Sequence, residues 1–157
     1  MAATIDKALQ QLVAMTKGVK QYVELWKNAS PTSNFAAQTI SLNLSDYDGV
    51  RIVWKPSTTG GERIITDGVI GNDYLFNFIA NGNASAIAEL RTRKVTISTT
   101  GCSFTAGYGK TITVTSAGTQ AGYCIPVSIY GIKTLNGGVL LNLIKHVLGG
   151  RCPVWQH

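Results

Sequence analysis

From residue 38 onward, apolar and polar residues interleave with a period of two, and no other feature restricts the fold of this chain as strongly. Ile40, Leu42 and Leu44 are separated by Ser41 and Asn43, and Val50, Ile52 and Trp54 by Arg51 and Val53. Successive side chains of a strand point to opposite faces, so such a run covers a core with one face and meets water with the other. Further strand candidates are 62–67, 73–80, 86–98, 102–105, 110–116, 123–133 and 139–144, separated by Gly, Asn, Ser and Thr at intervals of about ten residues. Short strands at even spacing, with no helical segments between them, predict a mainly β fold. The expected domain is an antiparallel β-sandwich or jelly roll over residues 38–133.

The N-terminal residues follow a different period. Ile5, Leu9, Leu12, Thr16, Val19, Val23 and Trp26 are spaced 4-3-4-3-4-3, a heptad seam. This predicts one coiled-coil helix over 3–27, within a helical stem of residues 1–28. Thr4 is placed to cap it, and Gly18 weakens its middle by about 1 kcal/mol relative to alanine. A lone helix of that length is marginal in water, so the seam must be covered. Val13, Met15 and Tyr22 widen the apolar stripe, which favours three chains over two and points to a homotrimer. Packing of the helix on its own β domain is the alternative. Residues 29–37, with Pro31 and an Asn/Ser cluster, read as a linker. Residues 134–157 form a tail in which 139–148 fit a final strand or a short helix stopped by Gly149-Gly150.

Composition narrows the partners. Charged residues are 14% against 45% hydrophobic, which argues against disorder and for a surface partly covered by other subunits. The net charge of +6 is scattered; its tightest group is Arg91, Arg93 and Lys94, read as a solvated basic face rather than a nucleic-acid footprint. Cys102, Cys124 and Cys152 are odd in number and widely spaced, and the only histidines are His146 and His157. Neither a disulfide framework nor a metal site is expected, which suits assembly in a bacterial cytoplasm. The N-terminus lacks a secretory signal pattern, and no apolar run reaches the ~18 residues of a membrane span.

Catalytic signatures are absent from the string. Gly109-Lys110-Thr111 ends like a phosphate loop, but Phe104 stands where its first glycine belongs, and Gly107-Tyr108-Gly109 reads as a hairpin turn. Glycoside hydrolysis needs two carboxylates across the scissile bond. Asp46, Asp48, Glu62, Asp67, Asp73 and Glu89 are the acids of the β region, several of them in turn-like sequence. Neither an enzyme nor a cofactor is expected. Aromatic residues able to stack on sugars are Tyr108, Trp54 and Tyr74, with Trp54 also fitting the core and Tyr108 best placed for exposure.

The segment Leu25-Trp26-Lys27-Asn28-Ala29-Ser30-Pro31-Thr32-Ser33-Asn34-Phe35-Ala36-Ala37-Gln38-Thr39-Ile40, with Leu42-Asn43-Leu44-Ser45-Asp46-Tyr47-Asp48 and the strand Val50-Arg51-Ile52-Val53-Trp54, resembles a domain of minor tail and tail-fibre proteins of phages of Gram-positive bacteria. Ile125-Pro126-Val127-Ser128-Ile129-Tyr130-Gly131-Ile132-Lys133 resembles the closing segment of that domain. The resemblance covers residues 25–133 and implies a virion protein of the tail, a β-sandwich and homotrimeric assembly with other virion proteins. It carries over no catalytic residue. Binding of a host cell-surface glycan, without nucleic acid or membrane insertion, is the expectation. A purely architectural capsid decoration or head fibre and a cell-wall or capsule hydrolase are the alternatives.

Overall fold

The computed structural model describes residues 2–81, 88–111, 117–119 and 121–135. Contacts divide the chain into two compact units, residues 22–132 and the two terminal segments 1–21 and 133–157.

The helix is shorter than the heptad pattern predicts. α1 spans Ala2–Thr16, and residues Lys20–Lys27 form strand β1. Gly18 sits at φ +83°, a left-handed conformation that ends helices and costs any other residue strain. The Thr16 carbonyl accepts the Val19 N–H at 3.2 Å, while Gly18 N–H and Leu135 O, and Leu135 N–H and Val19 O, pair at 3.1 and 2.9 Å. Of the seam residues, Ile5, Leu9, Leu12 and Thr16 therefore lie on α1, Val19 follows its end, and Val23 and Trp26 belong to β1. The continuous coiled-coil stem does not form. Backbone pairing in a sheet offsets what a helix interrupted by glycine offers. Leu12 and Met15 stay exposed, at 43% and 77%.

The remaining strands are β2 (Gln38–Ser41), β3 (Gly49–Ser57), β4 (Ile64–Gly68), β5 (Asp73–Asn81), β6 (Ala88–Ser98), β7 (Gly101–Phe104), β8 (Tyr108–Thr111), β9 (Ala117–Thr119) and β10 (Tyr123–Thr134). All registered pairs are antiparallel. One sheet has the order β1-β10-β3-β4, and the other runs β2-β7-β6-β8-β9 with β5 on the far side of β6. The long β6 serves β5 along its whole length, β7 with Val95–Ser98, and β8 with Glu89–Thr92. β10 carries Pro126, which has no N–H to donate, and its register with β3 shifts between Pro126 and Ser128. The segment 139–144 lies outside the described residues.

Val95 and Ile97 of β6 are buried between exposed neighbours as the period of two predicts, and Val50, Ile52 and Trp54 of β3 are buried too, although the other face of β3 is half-buried at Arg51 and Val53 and buried at Lys55 rather than wet. They join Phe35, Leu44, Phe76, Cys102, Phe104, Cys124, Ile125 and Ile129 in one core cluster that draws on both sheets. Trp54 of β3 stacks on Phe76 of β5 at 4.9 Å and 7°, and Phe104 meets Phe76 and Phe35 at 6.3 and 5.6 Å. The Trp54 indole N–H donates to Thr66 Oγ1 at 3.0 Å, so burial leaves no polar atom unpaired.

Candidate binding surface

Several of the residues that carry the resemblance pack against one another or pair through their backbones. Trp26 meets Phe35 edge-on at 6.2 Å. Asn28 ties the linker to β10 twice, through its amide side chain to Pro126 O (2.9 Å) and its backbone N–H to Val127 O (2.7 Å). Tyr47 lies flat over Gly131, where an added Cβ would come within 2.2 Å of the ring. Asp48 N–H donates to Ile132 O at 2.8 Å. The opening and closing pieces of the string are thus neighbours in space, and they build the frame rather than a ligand site.

The inner face of β6 is polar at one end, which the sequence reading missed. Glu89, Arg91 and Arg93 share that face with Val95 and Ile97, so of the basic group only Lys94, on the opposite face, is solvated. Arg93 is 1% exposed, and among the described residues no carboxylate forms an ion pair with it. Its guanidinium donates to four backbone carbonyls: Phe35, Thr105, Ala121 and Tyr123, at 2.6 to 3.1 Å. Burial pulls its pKa down to about 10, so it remains a cation at neutral pH. The Tyr123 hydroxyl donates to Glu89 Oε1 at 2.5 Å, and Arg91 holds Glu89 Oε2 at 2.8 Å while lying over the Tyr123 ring at 4.7 Å. Burial pushes the Glu89 carboxyl up, but these hydrogen bonds and the Arg91 charge outweigh it and hold the group below its ordinary value. Gly109 of β8 leaves room for the Tyr123 ring, since a Cβ there would lie 2.4 Å from it. This cluster pins β6, β8 and β10 together.

The outer face of the same sheet is the open one. Cross-strand register sets Asn77, Thr92 and Tyr108 in one row across β5, β6 and β8, and Ile79, Leu90 and Lys110 in the next. Leu75 faces Lys94, and Asp73 faces Thr96. Tyr108, Leu75 and Ile79 are exposed at 40%, 56% and 66%. Asp73 accepts from Lys94 at 2.5 Å and from Thr96 at 2.6 Å; both hydrogen bonds hold its carboxyl below the ordinary value. The result is an open face on which one aromatic ring stands beside the Thr92 hydroxyl, with the Asn77 amide, Lys94 and Lys110 on the same face.

Of the sugar-stacking candidates, only Tyr108 is available. It is the first residue of β8, not a turn residue. Trp54 is 2% exposed within the core. Tyr74 is partly buried, its ring against Gly68 and its hydroxyl accepting the Val69 N–H at 2.6 Å. Gly109-Lys110-Thr111 is strand, paired with Glu89–Arg91, and has no phosphate-loop form. Cys102 and Cys124 are buried and unpaired, and burial pushes both thiols up to about 12. Cys152, His146 and His157 lie outside the described residues. A shallow depression of about 350 Å³ is lined by Ser41, Leu42, Asn43, Thr99 and Thr100, with no charged group. Among the described residues, no helix is long and apolar enough to cross a membrane. Compared with protein-family models, with curated proteins and with solved structures, the chain shows no match.

Proposed function

We propose that this chain is a non-enzymatic structural protein of a phage tail or tail fibre, whose β domain binds a glycan of the host cell surface. The two sheets that share one core are read as a β-sandwich or jelly roll. The observation that carries the binding reading is the Tyr108 face. An exposed ring bordered by Thr92, Asn77, Lys94 and Lys110 offers an apolar platform with donors at its rim. The virion reading is supported by the phage-tail resemblance, whose separated segments pack against one another as a string selected for one fold would. Weak single sites suit a virion, which presents many copies at once and gains by avidity. The heptad seam no longer supports a trimer, so a trimer rests on the virion reading alone.

A hydrolase is the weaker reading, because the acids of the described strands are engaged. Asp67 is held by Arg51 at 2.7 Å, Asp73 by Lys94 and Glu89 by Arg91. A purely architectural role is the remaining alternative. Binding to a glycan array separates these readings. The proposal expects binding of the full chain to bacterial surface polysaccharide and its loss in Tyr108→Ala, with Ile65→Ala on β4 as an unaffected control. No binding to any glycan supports the architectural role, and new reducing ends on incubation with host polysaccharide would reveal a hydrolase.

A further inference from the structure

A sheet edge exposes a row of unpaired backbone N–H and C=O groups, and natural proteins guard such edges with short strands, charges or proline. Among the described residues this chain has five edges. β2 and β9 are short, with four and three residues. β4 has five residues and carries Asp67, and β1 carries Lys20, Glu24 and Lys27. β5 is different. It is nine residues long, Asp-Tyr-Leu-Phe-Asn-Phe-Ile-Ala-Asn, without lysine, arginine, proline or glycine. Its one charge, Asp73, is already satisfied by Lys94 and Thr96. Every second residue of β5 turns its backbone groups away from β6, its one partner among the described residues.

The sequence of β5 also fits a particular occupant, another β5. In an antiparallel pair, outward residues must oppose outward residues. Of the registers that satisfy this, the one centred on Asn77 pairs all nine residues. It sets Leu75 opposite the second copy's Ile79, Asn77 opposite Asn77, and Phe76 opposite Phe78 on the inner side. The exposed apolar pair, at 56% and 66%, then covers itself, and the half-buried Phe78 gains an aromatic neighbour. A two-fold interface requires this kind of self-complementarity.

We propose that two copies of this chain pair through β5 in an antiparallel two-fold arrangement centred on Asn77, making one continuous sheet with two Tyr108 faces. The pairing stands apart from the glycan reading and is tested without it. Sedimentation equilibrium of the full chain gives the stoichiometry. Oxidation of Asn77→Cys in a Cys152→Ala background gives the register, because the two positions face each other across the axis. The expected results are a dimer, a reductant-sensitive cross-link for Asn77→Cys and none for Ile65→Cys on β4, and a monomer with unchanged circular dichroism for Ile79→Lys. Should Ile79→Lys fail to fold, the cross-link decides alone. A wild type monomeric at every concentration, or an oligomer in which Asn77→Cys stays reduced, overturns the proposal.

Discussion

Replacing Arg93 with methionine keeps an apolar stem of similar length and removes every donor of the guanidinium. The Ala121 carbonyl retains the Phe35 N–H at 3.0 Å, but the Phe35, Thr105 and Tyr123 carbonyls lose Arg93. A buried carbonyl deprived of its donor costs about 1–3 kcal/mol, which applies in full at Phe35 and less at the part-buried Thr105 and Tyr123 carbonyls. Relief of the cation's own desolvation offsets part of that sum, leaving an expected loss of about 2–4 kcal/mol. Against a total stability of about 5–15 kcal/mol, urea unfolding resolves such a loss easily, as a lower midpoint at unchanged slope. Arg93→Lys is expected to recover only a minor part. One ammonium cannot span the carbonyls that the planar fork reaches. A loss below about 1 kcal/mol for Arg93→Met, or wild-type stability for Arg93→Lys, refutes the claim that this buried cation ties β6 to the Phe35 and Ala121–Tyr123 segments.

Gly18→Ala is expected to destabilise by about 1 kcal/mol in urea, because the left-handed φ of +83° strains alanine; a continuous helix through residue 18 would instead be strengthened. In a Cys152→Ala background, Cys102 and Cys124 should react with a disulfide reagent at mildly alkaline pH only when denaturant is added, since burial pushes both thiols up to about 12. The Glu89 carboxyl has a lowered folded pKa, so its stabilising effect is complete at neutral pH and is lost as pH falls through that lowered value. The Tyr123 phenol is raised by its hydrogen bond to Glu89, so its effect disappears as pH rises through the raised value. Tyr123→Phe should flatten both limbs of a stability–pH profile measured by urea unfolding.

The strands were legible where apolar and polar residues alternate along the chain, although β3 and β10 are largely buried on both faces. β3, β4, β5, β6, β7 and β10 fall within a few residues of their period-two segments. β1 was not legible, because Val19, Val23 and Trp26 satisfy a heptad by their spacing although Gly18 breaks the helix that would use it. A short amphipathic segment fits both periods, and the sheet partner that decides between them is distant in sequence. Arg93 was misread for a related reason. An arginine on a strand is ordinarily solvated, and the four carbonyls that admit this one come from loops and strands remote from it. The Gly131–Tyr47 contact could have been suspected, since a glycine in an apolar strand often marks a close approach. Tyr108 was read as exposed, correctly, but in a turn; its place on β8 depends on pairing with Thr92.

The reading proposed for this chain is a place in a phage tail. Immunogold electron microscopy of virus particles purified from a lysate that contains the chain, with antibody raised against the full chain, tests that directly. The expected result is gold confined to the tail or its fibres. Gold on the head would move the chain to a capsid decoration, and unlabelled particles, with the chain also missing from their denatured proteins, would contradict a virion role.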